Sequence, residues 1–170
     1  MAEKREICEE YAYIGMALIS VVPEFEPLKN ATIIYLKSNH KKKSHGKKVL
    51  GQCEKVQDKN KWAIAADFTI TLFEPNIEGL KDTQIAAVIY HELLHAGYTN
   101  DMETPWIIPH NIEDFKEVLD RFGTDWNYPG AIPKDEVFLM GILDAAEEYR
   151  IQEEPKKRMQ KAVREAVAGL

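Results

Sequence analysis

Cysteine is scarce in this chain, with two thiols, Cys8 and Cys53, among 170 residues. Two cannot build the bridges that staple small secreted domains, so a reducing cytoplasm is the expected setting. Positive charge is also in deficit: 22 Lys and Arg stand against 28 Asp and Glu, for a formal net charge of -6. A surface of that sign argues against general nucleic-acid binding and leaves only a local basic patch for such a role. No apolar run approaches the ~20 residues of a membrane span, and Met1-Ala2-Glu3-Lys4-Arg5-Glu6 precedes no signal-peptide core. No membrane partner is expected. Histidine numbers five, which makes the placement of each one informative.

Two of the five stand in His91-Glu92-Leu93-Leu94-His95. On a helix, positions four apart lie one turn above each other, so both imidazoles can face one metal ion. Zinc chemistry needs such a pair with a third protein ligand, and a carboxylate beside them can take the proton of a zinc-activated water. The helix follows independently from its neighbours. Asp82 or Thr83 offers an N-cap, while Ile85, Val88, Ile89 and Leu93 recur at the period of a buried face. Ala86, Ala87, Leu94 and Ala96 widen that face, and Gly97 suits a helix end. Histidines and a carboxylate on so apolar a helix need satisfying, and a metal satisfies both histidines at once. Other divalent metals (Mn, Co, Ni, Fe) accept similar donors, but imidazole favours Zn2+ as the cofactor.

The third ligand must come from elsewhere. Tyr98 and Asp101 occupy the places where the metzincin pattern has glycine and its third ligand, and the glycine is missing. A glutamate from a following helix would be Glu113 or Glu117. His110 is the better choice: it lies in Pro109-His110-Asn111-Ile112-Glu113-Asp114-Phe115, read as opening an amphipathic helix with Ile112, Phe115, Val118, Leu119 and Phe122. Glu113 and Asp114 read first as solvent-facing carboxylates near that helix's N-terminus, with a hydrogen bond to a ligand histidine as the alternative.

The chain here resembles the putative phage metallopeptidases. Asp67-Phe68-Thr69-Ile70-Thr71, Glu74-Pro75-Asn76, His91 to His95, His110 to Phe115 and Asp125-Trp126 carry the likeness, over about the middle third. More distantly the layout of His-Glu-x-x-His and a downstream histidine is similar to that of SprT-like zinc proteases. The resemblance implies His91, His95 and His110 as metal ligands, Glu92 as the catalytic carboxylate, and a peptide or protein substrate. It also implies phage or prophage origin and a minimal zincin-like fold. In zincins a peptide lies along an edge strand, for which Thr69 to Phe73 is the candidate. Tyr98, Tyr128 or a backbone amide would stabilise the oxyanion. Two other functions fit the same residues. One is a non-catalytic binding module whose fourth metal position is closed by Asp101, Glu113 or Asp114; the other is a zinc hydrolase of a non-peptide substrate.

Length and a hydrophobic content of 45% suit one domain with a real core. The order of elements is α+β: a helix from about Lys4 to Ile19, then strands at Ala31 to Lys37, Val49 to Val56 and Ala63 to Phe73. Antiparallel pairing is expected between these near neighbours, giving a small, mainly antiparallel sheet packed on the motif helix. A later helix spans Asp135 to Glu153, and Pro155 is expected to break or kink it. Residues 1–154 thus read as a single metallopeptidase domain and 155–170 as an amphipathic helix or tail, with Met159, Ala162, Val163 and Ala166 on one stripe. Lys37 to Lys48 holds six lysines with His40 and His45. It reads as a solvated hairpin loop, a basic patch for an acidic substrate or nucleic acid being the alternative.

Overall fold

The computed structural model describes residues 2–99, 105–111 and 114–168. In chain order the elements are β1 (Arg5–Ile7), α1 (Glu9–Val21), β2 (Ile33–Ser38), β3 (Lys43–Ser44), β4 (Lys47–Lys48), β5 (Gly51–Lys55) and β6 (Phe68–Phe73). They continue with α2 (Glu74–Ile77), α3 (Asp82–Leu94), β7 (Ala96–Gly97), β8 (Trp106–Ile107), α4 (Lys116–Phe122) and α5 (Glu136–Ala168). Helices and strands are mixed as the α+β reading expects, and no helix among the described residues is long and apolar enough to cross a membrane.

The main sheet has the order β1-β2-β6-β5. β5 runs antiparallel to β6 and β1 antiparallel to β2, but β2 and β6 are parallel. The chain goes out along β2, returns along β5, and inserts β6 between the two, so the expected antiparallel rule holds only for the sequence neighbours. This interior place explains the composition of β6: Phe68, Ile70 and Leu72 are fully buried, and Thr71 is buried on the other face. Thr69 to Phe73 is therefore not an edge. The open edge towards α3 is β5. The strand also starts later than Ala63, because residues 58–63 form a 3-10 turn and further turn structure, and Asp67 binds Thr32 through both its backbone and its side chain.

α1 and α3 lie on one face of the sheet and α5 packs across both. Ile14, Leu18, Val88, Ile89 and Leu93 are buried in this core, each leaving water with a gain of about 1.5–3 kcal/mol. Contact between layers is close. A β-carbon on Gly15 of α1 would meet the hydroxyl of Tyr35 at 2.0 Å. Arg5–Ile7, expected to be helical, is instead strand: ladder bonds to β2 outweigh a weak helical pattern in three exposed residues.

α3 begins one residue before the expected caps. Lys81 is the N-cap, and its N–H donates to Gln84 Oε1 at 3.0 Å. The helix ends at Leu94 with His95 as C-cap, before Gly97, which belongs to β7. Gly97 is needed for another reason: a β-carbon there would lie 2.3 Å from the Trp106 ring across the β7–β8 pair.

α4 starts at Lys116, so His110 precedes the helix by six positions instead of opening it. Asn111 Oδ1 takes the N–H of Lys116 and Asp114 Oδ1 that of Phe115, so side chains serve the backbone donors where α4 begins. Val118 and Phe122 are buried and Leu119 half-buried as the stripe requires; Ile112 lies outside the described residues. α5 begins as expected but runs through Pro155. The carbonyl that loses its partner there belongs to exposed Ile151, where water can serve it. Ion pairs Arg150–Glu154, Arg158–Glu154 and Lys156–Glu153 flank the proline. Met159 is exposed, and the side chains of Ala162, Val163 and Ala166 lie outside the description.

Candidate metal centre

His91 and His95 project from the end of α3 towards the loop after β8, where His110 meets them. One ring nitrogen from each of the three lies within 4.8 Å of the others, and His91 Nε2 is 3.0 Å from His110 Nε2. The second nitrogen of two rings is held from behind. His91 Nδ1 lies 2.8 Å from Asp114 Oδ1, and His95 Nδ1 lies 2.7 Å from the carbonyl oxygen of Ile108. The latter contact is doubled by Ile108 N–H donating to the His95 carbonyl at 2.8 Å, an extension of the β7–β8 pair. The carbonyl at His95 Nδ1 and the carboxylate beside His91 Nδ1 favour a proton on that nitrogen, which leaves Nε2 to face the common centre, as metal-ligating imidazoles require.

The surroundings favour neutral rings at His95 and His110. Burial pushes His95 down to about 4, helped by the neighbouring His91 and His110 and opposed by the Ile108 carbonyl. Burial also lowers His110. Three imidazoles converging on one point form a donor set that suits a borderline-soft divalent ion such as zinc. Phe115, itself buried, meets all three rings edge-on at centroid distances of 5.3, 4.7 and 5.0 Å, and Trp126 stacks on His91 at 5.8 Å.

Asp114 proves to be no solvent-facing carboxylate. Besides His91 it takes the N–H of Phe115 at 2.7 Å and the indole N–H of Trp126 at 3.3 Å. Burial works against its charge, but these donors outweigh burial and hold its carboxyl below the usual range. It faces Nδ1 of His91 and not the converging nitrogens. The other candidates for an additional ligand, Asp101 and Glu113, lie outside the described residues, while Glu117 pairs with Asn111 through a side-chain contact of 3.4 Å.

Glu92 is buried beside the centre, against the first residues of β5. Burial pushes its carboxyl up to about 7, against opposing effects of His91 and of the Cys53 backbone N–H that donates to it. Gly51 makes room for it: a β-carbon there would meet Glu92 Oε1 at 2.8 Å. Phe73 N–H donates to Leu50 and Val56 N–H to Asp67, so the alternation of an antiparallel ladder turns the backbone groups of Gly51, Cys53 and Lys55 to the open edge.

Between this edge and the histidines runs a cleft of about 390 Å3, lined among others by Lys48, Gly51, Cys53, Glu92, His110 and Asn127. Tyr98 and Tyr128 are not part of its lining, whereas Asp114, Trp126 and Asn127 are. The wall itself is tied to α3: Gln84, fully buried, donates to the carbonyls of Trp126 and Tyr128, both at 2.8 Å. Sequence reading missed Gly51 and Gln84. An isolated glycine at a strand start does signal close approach, but nothing in the sequence says what approaches.

One family model, described as putative phage metallopeptidase, matches residues 3–131. That span contains β1 through Asn127 and so the whole cleft, and excludes α5. No curated protein and no solved structure matches the chain.

Proposed function

We propose, since the chain belongs to the putative phage metallopeptidase family, that it hydrolyses peptide bonds with one zinc ion held by His91, His95 and His110. The observation that carries this reading is the convergence of three imidazole nitrogens next to a buried carboxylate. Zinc bound there would supply Lewis acidity to a peptide carbonyl and to a water molecule. Glu92 accepts the proton of the attacking water at a carboxylate oxygen and returns one to the leaving amine. A carboxyl raised to about 7 by burial is suited to both directions. Asp114 and the Ile108 carbonyl orient their imidazoles and keep the Nδ1 protons in place.

An extended substrate would add to β5 rather than to the strand expected from sequence, because β6 is enclosed on both sides. Gly51 and Lys55 offer outward backbone groups for that pairing, and Cys53 N–H is engaged by Glu92. Asn127, which lines the opposite wall, would supply a side-chain donor for the developing oxyanion.

Metal-free protein titrated with zinc tests the centre directly. The wild type should bind one equivalent and the His110→Ala variant far less. Glu92→Gln should keep the metal and lose turnover on a peptide library. Absence of zinc binding by the wild type would remove this reading, and metal binding without hydrolysis of any peptide would leave the binding-module reading in its place.

A further inference from the structure

The chain carries a net charge of -6, yet residues 38–53 contain five lysines and no Asp or Glu. Four of the five lie on or beside the β3–β4 hairpin in exposed positions. Lys42 is the exception, its Nζ bound to Gln52 Oε1 and lying 5.2 Å over the Phe73 ring. Among the described residues no carboxylate pairs with Lys41, Lys43 or Lys48.

The hairpin is held at a fixed base. Buried Asn76 donates through Nδ2 to the carbonyls of Lys42 at 2.6 Å and Val49 at 2.7 Å, one on each arm. At the tip His45 and Gly46 have φ of 48° and 79°, the two positive values a tight two-residue hairpin turn needs. Within this frame Lys43 stands directly opposite Lys48. Cross-strand partners share a face, so two ammonium groups are held side by side, an arrangement that weakens an antiparallel pair unless an anion joins them. Lys48 lines the cleft together with Gly51, Glu92 and His110.

We propose that the hairpin is a substrate subsite for acidic peptide: Lys43 and Lys48 select polypeptides with clustered Asp or Glu on the side of the scissile bond that lies towards the start of β5. This rests on the peptidase reading above. A peptide is the favoured occupant because the lysines border a strand edge able to pair with an extended backbone. Residues 38–53 contain no Trp, Tyr or Phe on which nucleic-acid bases could stack. The attraction is local, since it is screened beyond about 8 Å at physiological ionic strength.

The test uses full-length Glu92→Gln protein, which retains peptides uncleaved, and fluorescence anisotropy with three labelled peptides differing only in an acidic, neutral or basic triplet. The acidic peptide should bind roughly three- to tenfold more tightly than the neutral one, the scale of one or two exposed charge pairs, and the advantage should shrink as salt is added. Lys43→Glu and Lys48→Glu, each in that background, should abolish the advantage while holding or raising Tm, because either change makes the cross-strand pair oppositely charged. Equal binding of all three peptides, or an advantage kept by both variants, overturns the proposal. So does a single-stranded oligonucleotide that binds more tightly than the acidic peptide and loses affinity in the same variants. Charge-selective binding combined with no cleavage by zinc-loaded wild type would sink the peptidase reading while the subsite stands.

Discussion

Gly51 lies directly against Glu92, so that a β-carbon at position 51 would sit 2.8 Å from Oε1 and 2.9 Å from Cγ of that carboxylate. Gly51→Ala must therefore displace the carboxyl or the strand. A misplacement near 1 Å costs on the order of 100-fold in rate. The expected result is a kcat lowered by about that factor with zinc affinity unchanged, read from steady-state kinetics beside a metal titration. Undiminished kcat would mean that the position of Glu92 does not control turnover.

Glu92 should also mark the stability of the metal-free protein. Its carboxyl is raised to about 7 when folded, against about 4.3 for a free glutamate. The unfolded chain therefore ionises first. The stabilising contribution is complete below pH ~4 and is lost as pH rises through the folded value near 7, a change on the order of 3 kcal/mol. Denaturant titrations of metal-free wild type and Glu92→Gln across this range should diverge, with the wild type losing more; parallel curves would refute the burial argument.

Asp114→Asn keeps the shape of the side chain but removes the charge that faces His91 Nδ1. Loss of such a partner typically weakens metal binding by ~10–100-fold. Zinc affinity measured by competition with a chelator should fall in that range without a large change in far-UV circular dichroism, and wild-type affinity would reduce Asp114 to a local cap of Phe115.

Asn76→Ala leaves the carbonyls of Lys42 and Val49 without their shared donor. A loss of about 1–3 kcal/mol is expected for a buried polar group so stripped of partners. Thermal unfolding should show it as a lower Tm, and an unchanged Tm would mean the hairpin base does not depend on Asn76.

Local spacing made the most visible part of the site legible. His91 and His95 needed only helical periodicity, and the helix announced itself through Val88, Ile89 and Leu93. The strands were found for a similar reason, but their order was not: that β6 inserts between β2 and β5 depends on pairings between residues some 35 positions apart, such as Ile33 with Phe68. The same distance in sequence hid the assignment of the open edge to β5. Asp114 was ambiguous because its use by His91 depends on how Asn111 and Asp114 bind the backbone N–H groups where α4 begins, a competition between side chains and backbone that composition does not decide. Gly97 and Pro155 misled in opposite ways. The first was read for its backbone when its missing side chain mattered, and the second for a break that an exposed carbonyl and flanking ion pairs let the helix tolerate.

Gln84 and His91 belong to the same helix, which His95 caps, and Gln84 donates to the carbonyls of Trp126 and Tyr128. α3 thus carries two of the three imidazoles and ties down the wall behind them. The same helix also reaches the opposite side of the cleft, where Glu92 takes the Cys53 N–H of β5, so both walls are moored to one element and the width between them is set by the side chains of α3.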